Sequence, residues 1–353
     1  MSGSAAAELH APCARPGRRL QLFLAYTEPE FAQAYDATLR ARLERCVDVV
    51  RNPGPAVLAG PALAEAAAGC DLLLAYRSTP VDAATLQALP GLLACLRAAV
   101  DIRTIDLAEA SRLGILVTQV RPGFQNAVAE LGMGMLVDLA RGITAHRLKP
   151  QGGQGQVPRQ GRELRGATLG LIGYGGIARR MAELAQAFGM QVQACDPLVQ
   201  AADIPLRPLD AVLAASDFVV CLAPANAQTH HLVNQRTLAQ MQRGAFFVNL
   251  ARGELVDEDA LEQALATGQL GGAALDVGSA ADQKPAARFV GRADVVVTQH
   301  IGATTAQARA AQTLDSLLQV EALAQGRMPF GAVNPAAAQR FEQWRARAMD
   351  PLT

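Results

Sequence analysis

Short apolar runs alternate along the chain with segments of helical spacing. LQLFLAY (Leu20 to Tyr26) reads as the first buried strand, and AVLAG, DLLLAYRS, LLACLRAAV and GILVTQV read as further strands. Between them, FAQAYDATLRARLERC and DAATLQAL repeat apolar residues at helical intervals. This βαβ rhythm predicts a mainly parallel sheet. A longer helix is predicted from Asn126 to Ile143, capped by Asn126, with Val128, Leu131, Met135, Leu136 and Leu139 on one stripe. Gly132 and Gly134 weaken such a helix, which implies close packing against either the chain's own sheet or a partner subunit. Lys149 to Leu164, rich in Gly, Gln and Pro, reads as an exposed loop. A second series of strands and helices runs from ATLGLIGYGG to DVVVTQHIG. The closing AAAQRFEQWRARAMDPLT reads as an amphipathic helix with Trp344 on its apolar side, or as a frayed tail on the surface.

Length and composition narrow the picture. A chain of 353 residues exceeds what one core usually serves, so two domains are expected, with one large α/β domain as the alternative. With 50% hydrophobic, 18% charged and 4% aromatic residues, it suits a globular protein whose cores are packed with Ala, Val, Leu and Ile. Lys+Arg and Asp+Glu each total 32 without long runs, which leaves no electrostatic footprint for nucleic acid or an anionic membrane and points to a small-molecule partner. The 6 cysteines form no C-x-x-C pair, which argues against a metal site or a disulfide framework. They suit reduced thiols in the cytoplasm, the expected location, since no signal-like or membrane-spanning apolar run is visible.

The densest chemistry lies in GATLGLIGYGGIARRMAELAQAFGMQVQACDP. A strand over Thr168 to Ile172 enters Gly173-Tyr174-Gly175-Gly176-Ile177-Ala178. A helix follows with Ile177, Met181, Leu184 and Phe188 on one face, and a second strand ends in Asp196. Gly173 permits a tight turn, Gly175 lets the backbone approach a pyrophosphate at the helix N-terminus, and Ala178 replaces the third glycine, where close helix packing tolerates a methyl. An acid about 20 residues on is the expected ribose ligand. Asp196 would accept hydrogen bonds from an adenosine ribose and repel a 2′-phosphate, so NAD is favoured over NADP. The competing reading is a glycine turn of another α/β sheet, with Asp196 as a cap.

Downstream, the strand in AFFVNLARGELVDEDALEQALATGQLGGAALDVGSA ends at Asn249 to Gly253. His300, in VVVTQHIGATTA, taken alone, reads first as a core histidine bonded to the backbone. With GRELRGATLGLIGYGGIAR, NLARGELVDEDAL, GGAALDV and TQHIGATT in this order, the chain resembles the D-isomer-specific 2-hydroxyacid dehydrogenases, a family that includes D-3-phosphoglycerate, D-lactate, glycerate and formate dehydrogenases. Weaker matches in AYRSTPV, TIDLAEASRLGILVT and NAVAEL extend the resemblance over roughly residues 20 to 335.

The resemblance implies an α/β fold of two Rossmann-like domains with parallel sheets, the outer one discontinuous, and an active site in the cleft between them. It divides the chain into a disordered tail (1–18), the first part of the outer domain (19–120), an NAD-binding domain (121–302), the returning part of the outer domain (303–336) and a C-terminal tail (337–353). It also implies a homodimer formed through the cofactor domain. Arg252 matches the arginine that grips the carboxylate and carbonyl oxygen of a 2-keto acid, work suited to a planar fork. His300 matches the acid/base that protonates the carbonyl oxygen as hydride arrives. Asp276 matches a residue near the nicotinamide, and Pro224 and Thr229 fall on the adenine and ribose side. Tyr174, Gly175, Gly176, Ile177, Ala251 and Gly302 complete the expected cofactor contacts, with Arg252 and His300 also on that side. Arg77, Arg97, Ala99 and Val100 are the expected substrate contacts, with a surface ion pair as the alternative for either arginine.

Two departures from the family pattern stand out. The glutamate that partners the histidine falls on Ala281; Asp282 beside it is a substitute after a one-residue shift, and Gln283 is similar to the glutamine of formate dehydrogenases. Without a partner the imidazolium loses a stabilising charge, which predicts a more acidic optimum for keto-acid reduction. In the substrate loop RAAVDIRTIDL, Ala99 and Asp101 occupy the places of a Gly-x-Gly run; their side chains narrow the pocket, and an inward Asp101 would repel an acid. Two further readings stay open: a dinucleotide-binding regulatory protein without turnover, and a dehydrogenase of formate or phosphite.

Overall fold

The computed structural model describes residues 19–148, 160–280 and 283–348. The chain divides into two compact units: an outer one up to Gly123 and again from Ala306, and an inner one over Phe124–Thr305. The outer unit begins β1 (Gln21–Ala25), α1 (Glu28–Ala34), α2 (Ala37–Cys46), β2 (Asp48–Arg51), α3 (Gly60–Ala66), β3 (Leu72–Ala75), α4 (Ala83–Gln87), β4 (Ala94–Arg97), α5 (Leu107–Arg112) and β5 (Leu116–Gln119). The inner unit follows with α6 (Gln125–Arg141), α7 (Ile143–Leu148), β6 (Thr168–Ile172), α8 (Gly176–Ala187), β7 (Gln191–Cys195), α9 (Leu209–Ala215), β8 (Phe218–Cys221), α10 (Gln235–Gln240), β9 (Ala245–Asn249), α11 (Glu258–Ala266), β10 (Leu270–Leu275) and β11 (Val295–Val297). Helices α12 (Ala306–Ala324) and α13 (Gln339–Ala348) complete the outer unit.

Both sheets are parallel throughout. The outer one has the order β2-β1-β3-β4-β5 and the inner one β11-β10-β9-β8-β6-β7. The unbroken apolar strands follow from burial on both faces. Along β1, Leu22 and Leu24 face one core while Phe23 and Ala25 face the other, and β3 divides Leu72 and Leu74 from Leu73 and Ala75 in the same way. In the inner sheet, Phe218 and Val220 serve one core while Val219 and Cys221 serve the other. Each sheet reverses its winding once, between β1 and β3 and between β6 and β8, and such a switch point opens a crevice at the C-terminal strand ends.

Several local expectations change. The helical stretch from Phe31 to Cys46 is two helices, because Tyr35 is extended and Asp36 starts α2 by accepting the Leu39 N–H at 2.8 Å. AVLAG is an exposed loop held by Asn52, whose Nδ2 donates to the Ala56 carbonyl at 2.9 Å. The edge strand is instead the preceding DVVR, which ends before Pro53. Phe124, not Asn126, is the N-cap of α6. The buried face of α8 is Ala178, Met181, Ala182 and Ala185, small enough to let α8 approach α6, while Phe188 lies past the helix and is exposed. A methyl on Gly132 would meet Leu250 and Met181 at 2.8 and 2.9 Å, so the chain's own packing explains this glycine; one on Gly134 would meet nothing within 4 Å. Phe341 of α13 is fully buried in the outer core, with Trp344 partly buried beside it. Residues 149–159 of the Gly- and Gln-rich segment lie outside the described residues.

Among the described residues, no helix is long and apolar enough to cross a membrane, and no group of three or more His, Cys, Asp or Glu could hold a metal ion.

Candidate active site

In the inner unit, β6 runs into the glycine turn. Gly173 has a φ of 90°, and a methyl there would lie 2.8 Å from the Ala223 nitrogen, so the turn after β6 abuts the turn after β8 at the switch point. Only glycine satisfies both demands. Gly175 is the N-cap of α8, and the space over it is open to at least 4 Å. Helix α8 thus begins at an open glycine, and the N-terminus of a helix is the arrangement that suits a pyrophosphate. Gly176 lies against the Gln125 side chain: a methyl there would fall 2.2 Å from its amide nitrogen and displace it. Ile177 is the half-buried second residue of α8.

Asp196, one residue past β7, accepts the Tyr174 N–H at 2.8 Å on Oδ2 and the Leu198 N–H at 2.9 Å on Oδ1. These bonds fix the carboxylate beside the glycine turn and leave one lone pair on each oxygen. The Tyr174 side chain does not face this opening. It is fully buried, its hydroxyl donates to Asp203 Oδ1 at 2.5 Å, and the Arg179 guanidinium stacks 4.5 Å over its ring. Burial, with the Asp203 hydrogen bond, pushes the phenol up to about 12. Tyr174 therefore pins the loop after β7, and only its backbone belongs to the turn. Pro224 is exposed on the loop after β8, and the Thr229 hydroxyl is turned inward, donating to the Pro224 carbonyl at 2.7 Å and accepting the Asn226 N–H at 2.9 Å.

The last three strands place the remaining inner residues. Asn249, Leu275 and Val297 stand in register across β9, β10 and β11. Pairing continues one step beyond them: the Asp276 N–H donates to the Asn249 carbonyl at 3.2 Å and the His300 N–H to the Asp276 carbonyl at 2.8 Å. Arg252 and His300 thus each lie three residues past the aligned strand ends, on strands two spacings apart, about 9–10 Å. The buried Asn249 side chain staples the first turn, accepting from the Ala251 N–H at 3.1 Å and donating to the Arg252 carbonyl at 2.9 Å. Ala251 is buried; Arg252 is half-buried, with Nη1 donating to the Ala251 carbonyl at 2.7 Å. Gly253 lies directly under the next loop, since a methyl there would be 1.9 Å from the Gly278 carbonyl carbon.

The second turn rests on Asp276, which is 2% exposed. Its Oδ1 accepts from the Thr298 hydroxyl at 2.6 Å and the Ile301 N–H at 2.8 Å, and its Oδ2 accepts the Gly302 N–H at 2.9 Å. His300 is half-buried with a φ of 57°. Gln283 has a φ of 58° and donates its N–H to the Ala280 carbonyl at 2.7 Å, while Ala281 and Asp282 lie outside the described residues.

In the outer unit, Arg77 is exposed just past β3. Ala99 and Val100 are half-buried past β4, and their peptide N–H groups have no acceptor among the described residues. The loop thus keeps donors suited to an anion even with side chains in the glycine places. Asp101 is not a bare charge. Its carboxylate forms a two-oxygen pair with Arg103, 2.8 Å at the closest, and accepts the Arg103 N–H at 3.0 Å. Arg97 departs from both sequence readings: it is neither a surface ion-pair residue nor open to a ligand, because its guanidinium is buried against the Tyr76 and Thr79 carbonyls and the Thr104 hydroxyl. Sequence reasoning passed over Asn249, Thr298, Asp203, Thr104 and Arg103, which act by holding other residues; only Asn249 and Thr298 carried a signal, a polar residue at or just past a strand end.

Residues 133–302 match the family model described as D-isomer specific 2-hydroxyacid dehydrogenase, NAD binding domain. Hydroxypyruvate reductase of Thermotoga maritima is 35% identical over 244 residues, 68% of this chain and 80% of that protein. D-3-phosphoglycerate dehydrogenase of Rattus norvegicus is 35% identical over 275 residues, 76% of this chain; the chain spans only 51% of the length of that relative. The crystal structure of the TT0316 protein from Thermus thermophilus superposes with a TM-score of 0.76 at 29% identity, covering 89% of this chain and 100% of that one.

Proposed function

The chain belongs to the D-isomer specific 2-hydroxyacid dehydrogenase family, with an NAD-binding domain, and from that premise we propose that it interconverts a 2-keto acid and a D-2-hydroxy acid. In this reading Arg252 clamps the substrate and His300 is the acid/base. The observation that carries the reading is the hydrogen-bonded line from Asn249 through Asp276 to His300, which ties together the two turns bearing a guanidinium and an imidazole at the C-terminal ends of β9 and β11.

The residues present suit NAD: an open glycine turn at a helix N-terminus and a pre-oriented carboxylate at Asp196. Bound NADH supplies the hydride that reduces the carbonyl carbon. The planar fork of Arg252 matches the carboxylate and carbonyl oxygens of the substrate and stabilises the charge that develops on the latter. The His300 imidazolium gives its proton to that oxygen during reduction and takes one back during oxidation. One hydride and one proton are thus consumed per hydroxyl formed.

The proposal extends to a cytoplasmic homodimer. Ile143 and Leu148 on α7, 55% and 47% exposed, support a partner-facing surface on the inner unit.

The test is NADH oxidation with glyoxylate, hydroxypyruvate, pyruvate and bulkier 2-keto acids, the product being resolved by chiral chromatography. Reduction of at least one is expected, to the D-isomer wherever the product has a stereocentre, which glycolate from glyoxylate lacks. No turnover on any, with NADH still bound, would overturn the proposal.

A further inference from the structure

Arg97 ends β4 with 0% exposure, and among the described residues no carboxylate forms an ion pair with it. A buried cation in that position costs stability, and an apolar side chain of similar volume would avoid the cost. Burial accordingly lowers its pKa. Nη1 donates to the Tyr76 carbonyl, Nη2 donates to the Thr79 carbonyl at 3.0 Å and to Thr104 Oγ1 at 2.8 Å, and Nε has no acceptor.

These partners come from two different loops. Tyr76 to Thr79 follows β3, at the switch point of the outer sheet, and carries Arg77. Thr104 belongs to the segment after β4 that carries the unpaired N–H groups of Ala99 and Val100 and the Asp101–Arg103 pair. The β3 loop is anchored to β1 as well, through the Thr79 hydroxyl donating to the Ala25 carbonyl at 3.0 Å. One guanidinium therefore joins the ends of neighbouring strands across the edge where a parallel sheet receives its ligand.

We infer that Arg97 is a positioning residue for the keto-acid substrate: without touching it, Arg97 locks the loops 76–79 and 98–104 into one rim, so that Arg77 and the Ala99 and Val100 N–H groups are set in advance for the substrate carboxylate. The inference rests on the proposed function. The planar fork explains why an arginine fills this place, since a lysine ammonium is a single point donor and cannot span two carbonyls and a hydroxyl in fixed directions.

The test uses the full-length protein and the keto acid on which it turns over best. Thr104→Val removes one acceptor of the rim and leaves the buried charge in place; Thr104→Ser restores the acceptor. Arg97→Met removes the charge and keeps much of the volume. Keto-acid KM and kcat, NADH Kd by fluorescence and the thermal midpoint are measured for each. Thr104→Val is expected to raise the keto-acid KM about fivefold or more, with kcat and NADH Kd within about twofold, and Thr104→Ser to return KM to near the unmodified value. Arg97→Met, where it folds, raises KM by about tenfold or more at an equal or higher thermal midpoint. A lowered midpoint with an unchanged KM in Thr104→Val would make Arg97 purely structural and overturn the inference. Absence of turnover in the unmodified protein would overturn the proposed function, and this inference with it.

Discussion

The Asp276 carboxylate lies beneath the turn that begins at His300. It accepts the Ile301 and Gly302 N–H groups at 2.8 and 2.9 Å, while its own carbonyl accepts the His300 N–H at 2.8 Å. His300 is held at a φ of 57°, a conformation that residues other than glycine seldom adopt and that costs on the order of 1 kcal/mol or more. The strain persists because Asp276 satisfies the N–H groups of His300, Ile301 and Gly302 together. In Asp276→Asn an amide nitrogen must face an N–H donor or the Thr298 hydroxyl, and the turn loses at least one charge-assisted bond. A fall in kcat of about 10- to 100-fold is expected, since such bonds contribute about 1.5–3 kcal/mol. Wild-type kcat in this variant would detach Asp276 from the geometry of the histidine.

Tyr174 holds the loop after β7 through Asp203 rather than through the cofactor opening. Tyr174→Phe removes that bond while keeping the ring under Arg179. NADH Kd is expected to rise about three- to tenfold with kcat unchanged, as the loss of one hydrogen bond to a largely exposed carboxylate allows. Fluorescence titration measures it, and an unaltered Kd would show that the loop keeps its position without this bond.

The two glycines of α6 should respond in opposite ways. Gly134→Ala meets nothing within 4 Å and should stabilise the protein by about 0.5–1 kcal/mol. Gly132→Ala forces its methyl against Leu250 and Met181 and should destabilise it by about 1–3 kcal/mol. Urea unfolding of both variants checks the contrast, which two equal shifts would contradict.

Burial pushes the thiols of Cys95 and Cys221 up from 9.0 to about 12. The folded state therefore keeps protons that the unfolded chain releases. Their contribution to stability is complete below about pH 9 and is lost progressively as pH rises toward 12. The thermal midpoint should fall across that window, and less steeply in a Cys95→Ala, Cys221→Ala double variant. At pH 8 neither thiol should alkylate before unfolding, whereas half-buried Cys195 should react first among the cysteines of the described residues.

What could be read from the sequence follows from where the information is local. The two parallel sheets were legible because their strands are buried on both faces and appear as short apolar runs, and the glycine turn was legible because Gly173 must adopt a positive φ against the chain at Ala223. Edge strand β2 was missed because its pattern, DVVR, is half exposed and polar at both ends. The division of labour within the site was not legible. Tyr174 and Arg97 look like ligand contacts in sequence, but each is buried and works through loop residues outside its own turn, at Asp203 and at Thr79 and Thr104. The repulsion expected from Asp101 assumed an unpaired acid, and Arg103 two residues on supplies its counter-charge.

The central claim is that His300 moves the proton in keto-acid reduction. His300→Asn should be compared with the unmodified protein for kcat on the best keto acid and for NADH Kd. A loss in kcat of about 10²- to 10⁴-fold is expected, the usual worth of a positioned general acid, with NADH Kd within about twofold. Undiminished turnover by His300→Asn would contradict it.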